Sequence, residues 1–134
     1  MSIVIHHNPA CGTSRNVLEI IRNFVGEPTI IEYLETGWTK PQLQALFAAA
    51  GLTPKTALRV SKSPADELGL TDATTTEDAI LNAMLEHPVL VNRPIVCTPK
   101  GVALCRPSEK IFALLDVPTG QSYTKEDGEV VTAP

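Results

Sequence analysis

Cys11 stands where a short β-prone run, Ile3-Val4-Ile5, gives way to a stretch of helical periodicity, in the order His7-Asn8-Pro9-Ala10-Cys11-Gly12-Thr13-Ser14-Arg15-Asn16. A thiol at such a strand-to-helix junction meets unpaired backbone N–H groups and the positive end of a helix dipole, both of which favour an anion, and a thiolate is an anion. Gly12 lets the backbone come close to a ligand, Thr13 and Ser14 add hydroxyl donors, and Arg15 adds a positive charge within one turn. The surroundings should therefore lower the thiol pKa and make Cys11 a nucleophile. Position 14, where a dithiol redox motif carries its second cysteine, holds Ser14, which cannot resolve a disulfide. A monothiol cycle is favoured, with an external thiol discharging whatever forms on Cys11 unless Cys97 or Cys105 can reach it. His7 can orient or deprotonate a neighbour at this loop, while alternation turns His6 to the opposite face.

The remaining cysteines, Cys97 and Cys105, have no spacing of the disulfide or zinc type, and an odd total of three leaves at least one thiol free. They fall on the two arms of an expected hairpin, where small apolar packing is their expected role. No metal site is expected. A formal charge of -4 gives no whole-protein attraction for nucleic acid or for an anionic membrane, so any anion site has to be local. With no apolar run near the roughly 20 residues that cross a bilayer, and no signal-like start, the expected location is the cytoplasm.

The elements that must position Cys11 begin with a strand over Ser2 to His7. A helix capped by Thr13 or Ser14 follows, with Val17, Leu18, Ile20, Ile21, Phe24 and Val25 on one face and Gly26 at its end. Thr29 to Tyr33 is a second β-branched run, which makes a βαβ unit with parallel strands. Thr39 and Gln42 form a capping box before Leu43, Leu46 and Phe47, and Gly51 stops that helix. Lys55 to Val60 and Ala65 to Leu70 could each be a few helical turns. Ile80, Leu81, Met84 and Leu85 share a face of a further helix closed by His87-Pro88. Val89 to Asn92 and Pro94 to Thr98 are β-prone, and Pro99-Lys100-Gly101 turns the chain into Val102 to Cys105 as a hairpin. Ser108 can cap a last helix that buries Ile111, Leu114 and Leu115. Residues 118–134 read as a polar, extended or mobile tail. The order βαβ, helices, then ββα predicts an α/β protein with a thioredoxin-like mixed sheet. It is expected as one domain over 1–117 with a helical insertion at about 39–87, followed by the tail.

The segment at positions 7 to 16 resembles the active-site loop of the glutaredoxin-linked arsenate reductases. The likeness continues in Tyr33-Leu34-Glu35-Thr36, Glu67-Leu68-Gly69-Leu70, His87-Pro88, Asn92-Arg93-Pro94-Ile95-Val96, Leu104-Cys105-Arg106-Pro107-Ser108-Glu109 and Lys125-Glu126-Asp127-Gly128-Glu129. This resemblance implies that Arg59, Arg93 and Arg106 bind an oxyanion together with Gly12 and Thr13, and that Cys11 acts with His7 and Ser14 as helpers. Planar guanidinium groups suit a tetrahedral anion because they supply paired donors and a permanent charge. The resemblance also implies a cis peptide at Arg93-Pro94 and arsenate as substrate. Glutathione would be the co-substrate and glutaredoxin the partner, with no tightly bound cofactor; separately, a monomer is expected. Two other readings of the same fold stay open: a thiol-sensing regulatory module that contacts RNA polymerase, and a general glutathione-dependent reductase.

Overall fold

The structure, a computed structural model, describes residues 2–134 and divides into two compact units, 2–32 with 93–134, and 33–92. The first unit starts with β1 (Val4–His6), α1 (Gly12–Phe24) and β2 (Thr29–Ile31). Its second half holds β3 (Ile95–Thr98), β4 (Gly101–Leu104), a 3-10 segment at Ser108–Leu114, β5 (Ser122–Thr124) and β6 (Val130–Thr132). Strands pair in the order β2-β1-β3-β4, with β1 and β2 parallel and the other pairs antiparallel. This is the thioredoxin-like mixed sheet that the element order predicts.

Alternation puts Ile3 and Ile5 on the face covered by α1, where Val17, Leu18, Ile20 and Ile21 meet them, joined by Val96 and by Ile111, Phe112, Leu114 and Leu115. Phe24 packs edge-on against Phe112, with ring centroids 6.1 Å apart at 61°. Val25 departs from the expected stripe, because the helix ends at Phe24 and Val25 stands exposed as its C-cap. The last helix is instead a 3-10 segment that follows Pro107 in extended backbone, and Ser108 lies inside it, buried, rather than capping it. Its apolar residues point inward as expected.

Residues 118–134 are not a loose tail. Strands β5 and β6 form a hairpin, and Val131 and Ala133 enter the same core. The polar composition of this stretch hid two small apolar side chains that alternation on β6 directs inward.

The second unit contains α2 (Tyr33–Thr36), α3 (Lys40–Ala50), α4 (Glu77–Glu86) and a 3-10 turn at Pro88–Leu90. The α3 capping box is present in both directions between Thr39 and Gln42, and Gly51 closes the helix in the left-handed conformation at φ 68°. Thr76 caps α4 through the N–H of Ala79. Tyr33 begins a helical turn instead of ending β2, and it stacks on Trp38 at 5.0 Å. Residues 55–60 and 65–70 form turns, not helix, with Leu58 making a single bridge to Val91. The β-prone stretch from Val89 likewise contributes only that bridge, because Pro88 directs it into a 3-10 turn.

Candidate active site

Register brings the functional groups of the first unit together. On β1 His6 pairs with Ile95 of β3, so the chain leaves the sheet for the Cys11 loop beside the start of β3, where Arg93 stands two residues earlier. Ile95 pairs in turn with Leu104 of β4, and the N–H of Cys105 donates to the carbonyl of Pro94 at 2.9 Å. The open end of this hairpin therefore holds Arg93 and Arg106 side by side, and Arg106 Nη1 donates to the Arg93 carbonyl at 3.1 Å. The Arg93-Pro94 bond is cis, as the resemblance implied, and so is Arg106-Pro107.

The loop itself is tied by its own backbone. Asn8 accepts from the N–H of Cys11 with its carbonyl at 3.0 Å and from the N–H of Ala10 with its side-chain oxygen at 2.9 Å. Cys11 is itself the extended N-cap residue of α1, at φ -100° and ψ 123°, so neither Thr13 nor Ser14 caps the helix as expected. Gly12 and Thr13 form its first two positions. The Ser14 hydroxyl turns back instead, accepting from the N–H of Asn8 at 3.1 Å and bonding His7 Nδ1 at 2.6 Å. His7 thus meets the loop through Ser14. Burial holds the His7 ring below its ordinary pKa, with Glu32 opposing and Arg22 and Arg15 adding to the shift, so the imidazole is neutral near pH 7.

Cys11 is 6% exposed, yet its surroundings are polar. Partial burial alone would raise the thiol. The Ser14 backbone N–H, the charge of Arg93, and both the hydrogen bond and the charge of Arg106 outweigh it, and the pKa is lowered. Arg106 Nη1 lies 3.6 Å from Sγ. A helix N-terminus and two guanidinium charges favour the thiolate form of this group, which is fit to attack an electrophilic centre that carries negative oxygens.

Cys105 is fully buried and its thiol is pushed up to about 12 by desolvation, against a small opposing effect of Lys110. Desolvation also raises Cys97. All three cysteines are free thiols. Arg59 belongs to the second unit, where it is 7% exposed, its N–H donates to the Leu90 carbonyl at 2.8 Å, and its Nε donates to the Ser61 carbonyl at 2.9 Å. Among the described residues no cluster of His, Cys, Asp or Glu could hold a metal ion, and no helix is long and apolar enough to cross a membrane.

Sequence reasoning singled out Cys11, Arg93 and Arg106, and it named Glu126 only within the run at 125–129, with no link to the thiol loop. That carboxylate reaches from the β5–β6 loop to Arg15, in the first turn of α1, at 2.7 Å. No local pattern signals a contact across 111 residues.

The ArsC family model matches residues 6–114. The chain is 61% identical over 129 residues to the arsenate reductase ArsI2 of Synechocystis sp., covering 96% of this chain and 92% of that protein. It is 51% identical over 130 residues to the arsenate reductase of Escherichia coli (strain K12), covering 97% and 92%. Among solved structures, an arsenate reductase from Vibrio cholerae superposes with a TM-score of 0.80 at 37% identity, over 86% of this chain and 98% of the other. The matched stretch runs through the thiol loop and through the hairpin that carries Arg93 and Arg106, and on that ground the chain belongs to the ArsC family.

Proposed function

We propose that this protein reduces arsenate to arsenite with Cys11 as the nucleophile, and that Arg93 and Arg106, with Gly12 and Thr13, receive the oxyanion, a set to which the family resemblance adds Arg59. The observation that carries the reading is a thiol of lowered pKa at the start of α1, 3.6 Å from a guanidinium nitrogen, in a chain 61% identical to an arsenate reductase. The thiolate attacks arsenic, an As–S bond forms, and an oxygen leaves as water or hydroxide with a proton taken from the substrate. Arsenic stays pentavalent in that step, and the arginines stabilise the charge that moves from sulfur to the departing oxygen.

Reduction needs two electrons that a single thiol cannot supply. We assign them to glutathione and glutaredoxin. Glutathione adds to arsenic with loss of a second oxygen as water. A glutaredoxin thiolate then attacks the glutathione sulfur, forming a mixed disulfide and leaving trivalent arsenic on Cys11. Water displaces arsenite and restores the thiol. His7 and Ser14 act by holding the loop: their 2.6 Å bond, with the Asn8 N–H, sets the turn that presents the Ser14 backbone N–H to sulfur. The protein is proposed to work as a monomer in the cytoplasm, where free thiols persist.

The test follows arsenite formation and NADPH consumption with arsenate, glutathione, glutaredoxin and glutathione reductase, omitting each in turn. Loss of turnover without glutathione or glutaredoxin supports the electron route. Equal rates for the parent and Cys11→Ser would sink the nucleophile.

A further inference from the structure

We propose that Glu126, on the loop between β5 and β6, is a positioning residue of the thiol site that tempers its positive field through an ion pair with Arg15. Arg15 Nε donates to one carboxylate oxygen at 3.1 Å and Nη2 to the other at 2.7 Å, while Nη1 donates to the Pro9 carbonyl at 2.9 Å. One guanidinium thus joins the thiol loop, the first turn of α1 and the far end of the chain. A Cβ built on Gly12 would lie 3.1 Å from Glu126 Oε1 and 3.6 Å from Arg15 Nη2. The carboxylate therefore rests against the residue that follows the nucleophile.

This placement is built. The Glu126 N–H donates to Asn16 Oδ1 at 3.1 Å, and Lys125 ties the same loop to Glu109 at 3.6 Å and Glu129 at 3.1 Å. Val131 and Ala133 root the hairpin in the core. An ion pair as exposed as this one contributes little to stability. Its charge matters more for what lies beside it. Arg93 and Arg106 act on the sulfur from the two ends of the β3–β4 hairpin and Arg15 interacts with it through charge from α1, while Glu126, Asp127 and Glu129 are the negative groups on the β5–β6 loop beside Lys125. An anion at the sulfur feels the pull of Arg15 reduced by Glu126. The site then binds a tetrahedral oxyanion less tightly than its arginines alone would, which limits retention of unreactive phosphate.

The oxyanion part of this inference rests on the proposed function, and the thiol part does not. Glu126→Gln keeps an oxygen that can accept from Arg15 while removing the charge. The pH midpoint of Cys11 alkylation, read by mass spectrometry at that residue, should fall by about 0.3 unit, and the phosphate concentration that half-protects Cys11 should fall about two- to threefold. Arg15→Gln should move both the other way, and Glu126→Asp should stay near the parent. Unmoved values in Glu126→Gln, or a shift in the same direction as Arg15→Gln, overturn the proposal by showing a clamp whose charge has no consequence. A parent inactive on arsenate would overturn the proposed function instead, leaving the alkylation result to decide this one.

Discussion

Cys11 and Cys105 are both withdrawn from solvent, at 6% and 0% exposure, and their thiols move in opposite directions. Cys105 sits just past β4 among Ile111, Phe112 and Leu115, where burial removes water and returns only a weak contact at 3.8 Å to the Ala103 carbonyl. Around Cys11 the water is replaced by a backbone N–H and two guanidinium groups. The direction in which each thiol's pKa moves is therefore set by what replaces the water, and not by accessible area.

The comparison breaks first at Cys11→Ser, which should reduce arsenate turnover on the order of 10^4-fold in the glutaredoxin-coupled assay while the thermal midpoint stays near the parent's. The reverse probe is Cys105. In the native protein it should react with iodoacetamide about 10^3-fold or more slowly than Cys11 at pH 7, and should label fully only in denaturant. Comparable native rates would show that the apolar pocket opens and that the contrast is not one of solvation. Arg106→Gln should move Cys11 toward Cys105 by removing a hydrogen bond and a charge, slowing alkylation at pH 7 by about tenfold. Arg106→Lys should recover only part of that loss, because a single ammonium donates differently from a planar fork.

The smallest expected effect extends the comparison to bases. Burial lowers His6, although its bond to the Ile95 carbonyl opposes the shift, and burial lowers His7 as well. As pH falls below their ordinary 6.5, the unfolded chain takes up protons before the folded one does. Stability present above that value is lost until the folded histidines also protonate. The urea midpoint should therefore fall between pH 7.5 and pH 5, and it should fall less in His6→Gln. An identical drop in that variant would assign the acid sensitivity to other groups.

Local pattern carried much of this molecule. The stripe Val17-Leu18-Ile20-Ile21 and the Thr39-Gln42 box with Gly51 were legible because helix periodicity and capping act over three or four residues. The turns at 55–70 and the chain from Val89 were not, because their propensities are weak and Pro54, Pro64 and Pro88 leave several conformations open.

By itself the sequence determined that a lone thiol would stand where a strand meets a helix with no second cysteine at position 14, and that Arg93 and Arg106 would lie close before and after a short hairpin. Tertiary structure alone decided that Arg106 meets the sulfur with Arg93 beside it, through the His6–Ile95–Leu104 register, and that the polar tail folds into the core to bring Glu126 to Arg15. Capping and periodicity are written in neighbouring residues. Strand register and contacts across 111 residues depend on how the whole unit buries its apolar faces, and no short window encodes that choice.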